Sequence, residues 1–573
     1  MSDMTCILGI GGYTFDAAST LLCNGDIVAS VEEERFSRLK HHSGMPNEAI
    51  RYCLDRAGIS PRDLDYVTFC YKPGLRLAKR IPFQLSNIIS HPWTSIRLTV
   101  HEINFVQNFL WELKSFSGGK TRTVFPGHHM CHAASSFFTS PFEEAAVLVM
   151  DQRGEWDSTF LAHARGNEIK KIATVSYPHS LGVFYATITQ YLGFKPDADE
   201  YKVMGLAGYG KPSYLDAMRN FLRLDSKNFF RLDLSYLSYH LNRGFYGAPY
   251  VTAKFIETFG PPRKKGDSLT QRHMDIAASA QARLEEIVLE LAGFLSQQTG
   301  CRNICIAGGV GLNGVANGRI IENGIFDNLF VPPVASDNGL GLGGALYVHH
   351  QLLGNPRRDA LQRADWGTEY DNNSIEHVLS EAKLSYRRVD DAPSHAARLI
   401  AKGRIIGWFQ GRMELGARAL GFRSILADPT QSDMKDLINR YVKHREDFRP
   451  FAPAVLAEAM SQYFDFGGEI PFMTTVVPVR KEYHAKLPAI THVDGTARVQ
   501  TVNPTNNPKF YALIRAFHEI KGVPIVLNTS FNVMNEPLVE NPEQAVRTFY
   551  ACGLDDLVIG DFWVSKHGFD LTD

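Results

Sequence analysis

The sequence has little cysteine and no long apolar run. Only eight of its 573 residues are cysteines, and several of them, such as Cys6, Cys70 and Cys305, lie in apolar strand-like runs. This pattern is typical of reduced core thiols in a cytoplasmic protein. No segment approaches the roughly 18 consecutive apolar residues of a membrane-spanning helix. The N-terminal run MSDMTCILGIGG also lacks the basic start of a signal peptide. We therefore expect a cytoplasmic protein without a membrane partner.

An excess of charge of either sign is missing as well. The net charge is -1, so the whole chain does not indicate a nucleic-acid partner. Hydrophobic residues make up 44% and charged residues 21% of the chain, which is ordinary for a globular protein with substantial cores. The sequence contains no internal repeats and no low-complexity segments. These features favour a globular protein of two or three domains.

A polar stretch rich in helix breakers, residues 354–373, divides the chain. Before it, strand-like and helical runs alternate, starting with a strand, a glycine turn that carries Asp16, and a hairpin at Asn24-Gly25. Actin-like nucleotide-binding folds begin in this way. After it comes a second α/β unit. We predict a domain over residues 1–355, a linker over 356–373 and a second domain over 374–573.

The run GHHMCHAASSF (127–137) places His128 and His132 four residues apart. In a helix, two such imidazoles lie on one face with Cβ atoms roughly 5–6 Å apart, a separation that allows both to bind one metal ion. The alternative is that one histidine ends a helix and the other packs in a core. The spacing alone does not decide between the two.

Strand ends and glycine turns supply further candidates. Asp151 follows the apolar run AAVLVM, and Asp337 follows a predicted strand at 329–334. Ligands of α/β folds gather at such strand ends. The strand NICIA runs into GGVGLNGVANGRI, a glycine turn that opens a helix and could bind an anion. The later run DNGLGLGGAL superficially looks like a dinucleotide fingerprint, which we reject because its context is wrong. The basic loop RFSRLKHH (35–42) is either a solvated loop or a phosphate contact.

Taken together, several runs resemble the O-carbamoyltransferases of the nodulation-factor, cephamycin and tobramycin type. They span residues 6–565 and read EEERFSRLKH, GHHMCHAASSFFTSPF, EYKVMGLAGYGKP, GGVGLNGVANGRI, ELGARALGFRSILADP, FRPFAPAVL, HVDGTARVQ and LNTSFNVMNEP. The resemblance implies an α/β protein with a large actin-like domain of duplicated ribonuclease-H-like architecture, followed by a smaller YrdC-like twisted-sheet domain. It also implies that the second domain makes carbamoyl-AMP from carbamoyl phosphate and ATP. The first domain would then transfer the carbamoyl group to a small-molecule alcohol.

The resemblance also assigns residues to these steps. It implies a metal site of His128, His132, Asp151 and Asp337, where Fe(II) is most common and Mn(II) or Zn(II) would also fit. Nucleotide contacts are implied at Gly154, Glu200, Lys202, Gly308, Gly309 and Asn313. In the second domain, ATP with Mg(II) and carbamoyl phosphate would bind Arg418, Lys443, Arg449, Arg498, Asn528 and Ser530. Four of these six are cations in loops between apolar strands, as phosphate binding requires.

Two departures from the family pattern stand out. The resemblance also implies a catalytic role for Asp16, but Phe15 precedes it where the family usually has His-Asp, and phenylalanine cannot accept a proton. Either another group such as Tyr13, His41, His42 or the metal site assists, or transfer needs little help, or transfer is lost. In DQRGEWDST, Gln152-Arg153 also stands where a glycine commonly follows the aspartate.

Three functions are therefore open: small-molecule O-carbamoylation, transfer of a threonylcarbamoyl group to tRNA, and a non-catalytic nucleotide sensor. We expect the first, without a nucleic-acid partner and with a homodimer as one option for assembly. Residues 75–120 and 213–265 lack the shared motifs, and we expect them to shape the acceptor pocket.

Overall fold

The computed structural model describes residues 4–116, 121–242 and 248–569. Contacts divide the chain into two compact units. Unit 1 is Met1–Ala29 with Ser43–Ala360, and unit 2 is Ser30–His42 with Leu361–Asp573. The short segment 30–42 thus belongs to unit 2, although it lies within the range predicted for the first domain. Inside unit 2, Arg35 donates to the Gly416 carbonyl and Arg38 donates to the carbonyls of Pro537 and Leu538.

The strands are numbered in chain order. They are β1 (Cys6–Gly11), β2 (Ala18–Cys23), β3 (Asp26–Glu32), β4 (Tyr66–Phe69), β5 (Arg122–Val124), β6 (Glu144–Met150), β7 (Asp157–Arg165), β8 (Glu168–Ser176), β9 (Leu222–Asp225), β10 (Phe229–Leu232), β11 (Asn303–Ala307), β12 (Asn328–Phe330), β13 (Arg387–Arg388), β14 (Ile406–Phe409), β15 (Arg423–Ala427), β16 (Ala452–Leu456), β17 (Val476–Pro478), β18 (Thr496–Arg498), β19 (Gln500–Val502), β20 (Ile525–Ser530), β21 (Asp556–Ile559) and β22 (Phe562–Ser565).

The α-helices are numbered in the same way. They are α1 (Glu34–Ser37), α2 (Asn47–Ala57), α3 (Pro73–Ser86), α4 (Pro92–Phe116), α5 (His128–Phe137), α6 (Leu181–Tyr191), α7 (Glu200–Ala207), α8 (Leu215–Phe221), α9 (Tyr239–Asn242), α10 (Ala253–Phe259), α11 (Gln271–Thr299), α12 (Gly314–Glu322), α13 (Leu340–Leu346), α14 (Asn372–Glu381), α15 (Ala392–Ala401), α16 (Met434–Leu437), α17 (Met460–Tyr463), α18 (Pro508–Lys521) and α19 (Pro542–Ala551).

Unit 1 contains the same five-stranded sheet twice. The first sheet has the order β3-β2-β1-β4-β5 and the second has the order β8-β7-β6-β11-β12. In each, the central strand is antiparallel to its hairpin neighbour and parallel to the strand on its other side. This duplication confirms the predicted α/β class and its actin-like, ribonuclease-H-like first domain.

Close backbone packing explains the glycines of the run DNGLGLGG. A Cβ on Gly343 would lie 1.8 Å from the carbonyl oxygen of Cys131 in α5, and a Cβ on Gly9 of β1 would lie 1.9 Å from the Gly341 oxygen. Helix α13 therefore contacts both β1 and α5 at backbone distance, which larger residues would prevent. This packing positions Asp337, which lies just before α13, beside α5.

Unit 2 is built on a mixed eight-stranded sheet with the order β13-β22-β21-β14-β15-β20-β16-β19. Its core is apolar, with Trp408, Val526 and Phe517 completely buried. Helices α15 and α18 begin at side-chain caps, Asp391 and Asn507, and each has proline in its first turn. The likeness of this sheet to YrdC-like domains stays a prediction.

Two expectations from composition have structural counterparts. Each of the eight cysteines, all of them in described residues, is a free thiol. Among the described residues, no helix combines the length and apolar composition that crossing a membrane requires.

Candidate active sites in the two units

Helix α5 holds two of the four predicted metal ligands. The helix begins after Gly127, which adopts a φ of 98° that favours glycine. His128 and His132 lie one turn apart, and their ring centroids are 4.8 Å from each other. Both side chains are completely buried. The helix predicted from the spacing is therefore present, and it places both imidazoles inside unit 1.

Two carboxylates reach these rings from other elements. Asp151 directly follows β6, and its Oδ2 lies 2.9 Å from His128 Nε2. Asp337 precedes α13, and its Oδ1 lies 3.4 Å from His132 Nε2 and 3.6 Å from His128 Nε2. One ligand atom from each of the four residues lies within 4.8 Å of the others. We call these four residues the His-Asp cluster.

The electrostatics of the His-Asp cluster suit a divalent cation. Within the described residues, both ring nitrogens of His132 and Nδ1 of His128 are buried and lack hydrogen-bond partners. Burial lowers the pKa of His128, but the carboxylates of Asp337 and Asp151 outweigh this effect and raise it. Burial also opposes ionisation of Asp151, yet His128 holds its pKa below the ordinary value. Buried nitrogens without partners are costly, and two imidazoles with two carboxylates are ligands for Fe, Mn or Zn.

Three of the predicted nucleotide-contact glycines lie around the His-Asp cluster. The Gly309 amide donates to Asp151 Oδ1 over 3.2 Å. Gly308 has a φ of +87°, and a Cβ there would lie 2.1 Å from the Met150 oxygen. A Cβ on Gly154 would lie 2.9 Å from the Cβ of His128. These glycines orient the ligands and leave room for them, while their contact with a nucleotide stays a prediction.

The other three predicted nucleotide contacts already have protein partners. Asn313 caps α12, because its Oδ1 accepts from the Ala316 amide, and its Nδ2 donates to Gln281. Lys202 forms an ion pair with Asp199. Glu200 accepts from the Asp197 amide, and burial followed by the charge of Asp197 raises its pKa to about 8. Contact of these residues with a nucleotide stays a prediction.

Asp16 lies in the connection between β1 and β2 with a left-handed φ of 51°. It is not a member of the His-Asp cluster, so its catalytic role stays a prediction. Tyr13, one predicted substitute for the missing histidine, packs edge-on against Phe69 and Phe109. Burial and a hydrogen bond with Glu112 raise its pKa. A phenol held neutral in this way is a poor base.

In unit 2, the predicted site residue Lys443 is buried close to other cations. This side chain is 3% exposed, and its ammonium donates to Ser530 Oγ over 3.2 Å and to Asn532 Oδ1 over 2.9 Å. Burial lowers the pKa of Lys443 far below its ordinary value, and the charges of Arg445 and Arg449 lower it further. The fold therefore holds this ammonium where positive charge is already in excess.

Arg498 occupies a similar position. Burial lowers the pKa of Arg498, and the charges of Arg418, Arg445 and Arg449 lower it further. Its Nε is buried and lacks a hydrogen-bond partner among the described residues. Arg449 forms a long ion pair of 3.8 Å with Glu446. We call Arg418, Lys443, Arg445, Arg449 and Arg498 the cationic cluster, which is suited to a polyanion.

Neutral groups complete the cationic cluster. Asn528 and Ser530 both lie on β20. Asn528 Nδ2 donates to the Ala419 carbonyl and to Gln500, while its Oδ1 is buried without a hydrogen-bond partner in the described part of the chain. Ser530 Oγ donates to Asn532. The free amide oxygen can accept a hydrogen bond from an N–H group such as that of a carbamoyl amide.

Other charged residues of the same loops have structural roles. Arg423 is completely buried and donates to the carbonyls of Thr368, Gln410 and Gly411. Glu414 accepts from the amides of Leu420 and Phe422. These two residues hold the loop that carries Arg418.

The prediction missed two members of this region. Arg445 was not among the predicted site residues, although it lies beside Lys443 and Arg498 in their electrostatic environment. Lys40, from the segment 30–42, also lowers the pKa of Lys443 by its charge. Arg445 lies within the basic run KHRED (443–447), which was a usable signal. For Lys40 the alternative of a phosphate contact had been left open.

The regions predicted to shape an acceptor pocket form α3 and α4 and the segment from α8 to α10. Of the predicted ranges, residues 117–120 and 243–247 lie outside the described residues.

Two family models match the chain, one in each of the two predicted domains. The family model "Carbamoyltransferase N-terminus" matches residues 6–346, and "Carbamoyltransferase C-terminus" matches residues 397–566. The chain belongs to the carbamoyltransferase family. Its members are enzymes, and the family resemblance predicted from the motifs is thereby confirmed.

Three relatives illustrate this membership. The nodulation protein NolNO of Sinorhizobium fredii is 39% identical over 97% of this chain and 79% of its own length. Protein sll1178 of Synechocystis is 41% identical over 98% of this chain and 97% of its own length. The 3'-hydroxymethylcephem-O-carbamoyltransferase of Amycolatopsis lactamdurans is 35% identical over 46% of this chain and 48% of its own length.

Proposed function

We propose that this carbamoyltransferase-family enzyme is ATP-dependent and acts in two half-reactions. In the first, carbamoyl phosphate and ATP yield carbamoyl-AMP in unit 2. In the second, unit 1 transfers the carbamoyl group to a hydroxyl of a small-molecule acceptor and AMP is released. The observation that carries the proposal is the cationic cluster, in which Lys443 and Arg498 are held with lowered pKa values among further arginines.

The first half-reaction needs a site for two polyanions. Water cleaves carbamoyl phosphate to carbamate and orthophosphate, and a carbamate oxygen then attacks the α-phosphorus of ATP and displaces pyrophosphate. The arginines of the cationic cluster would bind phosphate oxygens bidentately, and Lys443 would stabilise the charge on the transferring group. Asn528 Oδ1, which lacks a partner among the described residues, would accept from the carbamoyl amide and fix its orientation. Mg(II) would accompany ATP.

For the second half-reaction, the His-Asp cluster would hold a resident Fe(II), Mn(II) or Zn(II) ion. A metal there supplies Lewis-acid polarisation of the mixed anhydride without redox change. His128 and His132 would bind it through ring nitrogens, and Asp151 is oriented for this role by the Gly309 amide. The burial of all four residues would keep bulk water from hydrolysing a reactive adenylate.

Two relatives support a small-molecule acceptor. The cephem enzyme is named for O-carbamoylation of a hydroxymethyl group, and NolNO is named as a nodulation protein. The near-zero net charge of this chain gives no support to a tRNA acceptor. We therefore assign the acceptor to the class of small-molecule alcohols, as in natural-product biosynthesis, and place the reaction in the cytoplasm.

Pyrophosphate release tests the proposal. Metal-replete protein is incubated with ATP and Mg(II), with and without carbamoyl phosphate, and pyrophosphate and AMP are measured. We expect pyrophosphate only when carbamoyl phosphate is present. Acetyl phosphate serves as the matched control, because it carries the same phosphate but no carbamoyl amide for Asn528. Equal release with either acyl phosphate, or no release at all, would refute the first half-reaction.

A further inference from the structure

Helices α3 and α4 place charged side chains in the interior of unit 1. On α3, Arg76, Arg80 and Gln84 recur every four residues and are buried, while Leu75 and Leu85 are 42% and 46% exposed. This reverses the usual arrangement, in which the apolar face of a helix is the buried one. Burying two guanidinium groups costs free energy, and apolar side chains there would avoid this cost. Their presence therefore indicates a role that leucine could not fill.

A single carboxylate serves both arginines. Arg76 Nε and Arg80 Nη1 each lie 2.7 Å from an oxygen of Glu102 on α4. Arg80 also donates to the carbonyls of Gly154 and Glu155, in the turn after Asp151. The pair therefore carries positive charge beyond what Glu102 neutralises, and it is tied to the chain beside the His-Asp cluster.

Arg153 adds a third guanidinium to this group. It is 9% exposed, and its Nε is buried without a hydrogen-bond partner among the described residues. The guanidinium lies over the ring of Tyr177, 4.7 Å from its centroid. Across the described ranges, no carboxylate lies within ion-pair distance of it. A cation this deeply buried and this poorly paired is suited to binding an anionic ligand.

The neighbouring charges confirm the imbalance. Burial lowers the pKa of Arg80 to about 9, and the charges of Arg153 and Arg76 contribute. Burial raises the pKa of Glu102, but the three arginines outweigh it and lower the pKa to about 2. The nearby Glu155 carboxylate is committed to the amides of Lys72 and His128. Three guanidinium groups thus face one free carboxylate.

The position of the three arginines indicates which ligand would supply the anion. Arg153 follows the cluster ligand Asp151 by two residues, and Gly154 packs against His128. The rings of Phe83, Trp156 and Tyr177 contact one another with centroids 5.4–5.6 Å apart, and the Arg153 guanidinium lies over Tyr177. The glycine turn at Gly309 approaches Asp151 from β11, a different element from those that supply the arginines.

We propose that Arg153, together with Arg76 and Arg80, binds an anionic group of the alcohol that accepts the carbamoyl moiety. The acceptor is accordingly a hydroxylated molecule that carries a carboxylate or a phosphate, which a guanidinium binds in bidentate fashion. Its hydroxyl would be held at the His-Asp cluster by this anchor. The inference rests on the proposed function, because it assigns the acceptor to unit 1.

Sulfate binding tests the anchor without turnover. Inorganic sulfate is titrated calorimetrically into protein saturated with AMP and pyrophosphate, which fill the sites for nucleotide phosphates. The variants are Arg153→Gln, Arg153→Lys and, as a matched control, Arg62→Gln, which changes an exposed arginine of unit 1. We expect wild type to bind sulfate, Arg153→Gln to bind it at least tenfold more weakly, Arg153→Lys to retain part of the affinity, and Arg62→Gln to match wild type.

Two outcomes would overturn the inference: no sulfate binding to wild type saturated with AMP and pyrophosphate, or equal binding by Arg153→Gln. Sulfate binding to wild type that appears only when AMP and pyrophosphate are omitted would assign the anion to the nucleotide instead of the acceptor. Melting temperature separates an anchor from a structural arginine. We expect Arg153→Gln to melt no lower than wild type, because it removes an unpaired buried charge. A lower melting temperature would identify Arg153 as structural and contradict the proposal.

Pyrophosphate release on the same preparations separates the two hypotheses. If sulfate binds as expected and carbamoyl phosphate fails to elicit pyrophosphate, the proposed function fails and the anion site stands. If pyrophosphate is released and the sulfate pattern fails, the acceptor anchor alone is refuted.

Discussion

The two units carry buried polar sites of opposite character. In unit 1, the His-Asp cluster combines two carboxylates with two imidazoles, and ring nitrogens that lack partners among the described residues make it suited to a cation. In unit 2, the cationic cluster gathers Lys443 and four arginines, of which Arg449 forms a 3.8 Å ion pair with Glu446. The donor set of one cluster suits a metal ion, and that of the other suits a polyanion. This difference is why we propose that adenylate formation and acyl transfer take place at separate sites.

We expect the largest effect from a substitution in the cationic cluster of unit 2. Arg498→Gln removes one guanidinium from the cationic cluster, and we expect carbamoyl-phosphate-dependent pyrophosphate release to fall roughly 100- to 1,000-fold. The control is Arg515→Gln, an exposed arginine on α18 of the same unit. Initial rates under saturating substrates provide the measurement. An equal loss in both variants would show that the effect is general and not a property of the cluster.

The next prediction addresses the unit 1 side. Asp337→Asn removes a carboxylate that lies near both imidazoles, and we expect bound transition metal to weaken at least about 100-fold, since even outer-shell changes cost 10- to 100-fold. Asp327→Asn, an exposed aspartate paired with Arg302, is the control. Metal content after dialysis against a graded chelator is the readout. Retention of metal by Asp337→Asn would remove this residue from the ligand set.

The sequence predicted these two sites to different depths. The spacing of His128 and His132 was readable in the chain, but Asp151 and Asp337 joined them only through the family resemblance. Their approach depends on β6 lying beside β11 and on α13 packing through glycines against α5, which are long-range contacts that no local pattern specifies. In unit 2 the cations were likewise assigned through the family resemblance, supported by their positions between apolar runs, although Arg498 in fact ends β18.

The remaining features could not be predicted for a physical reason. Residues 30–42 belong to unit 2 through hydrogen bonds of Arg35 and Arg38 to distant carbonyls, and the sequence shows nothing of these partners. Helix α3 is unusual in another way, because Leu75 and Leu85 are exposed while Arg76 and Arg80 are buried. Periodicity finds the two faces of such a helix but does not tell which one is buried.

A smaller effect follows from the lowered pKa of Lys443. Bound phosphate favours the charged ammonium and restores its pKa, so ATP binding should take up protons. The affinity should fall as the pH rises through the lowered pKa. Calorimetry of ATP binding in two buffers of different ionisation enthalpy measures this uptake. We expect Lys443→Met to abolish it and the exposed Lys486→Met to leave it unchanged. Proton release, or uptake that survives Lys443→Met, would contradict the assignment.

The smallest expected effect concerns Glu200 in unit 1, whose pKa is raised to about 8. The unfolded chain ionises this residue near its ordinary pKa, so stability is lost as the pH rises towards 8. We expect Glu200→Gln to raise the free energy of unfolding at pH 9 by about 1–2 kcal/mol and to change it little below pH 4.5. Denaturant titrations at both pH values, with the exposed Glu257→Gln as control, measure this. A gain that is the same at both pH values would show that ionisation is not the cause.

The separation of the two half-reactions is tested most directly by pyrophosphate release from His132→Ala. This substitution removes a metal ligand from unit 1 and leaves every member of the cationic cluster in place. We predict that ATP and carbamoyl phosphate release pyrophosphate from this variant at close to the wild-type initial rate, while its bound transition metal is lost. Loss of pyrophosphate release in proportion to the loss of metal, in a variant that melts like wild type, would contradict the account.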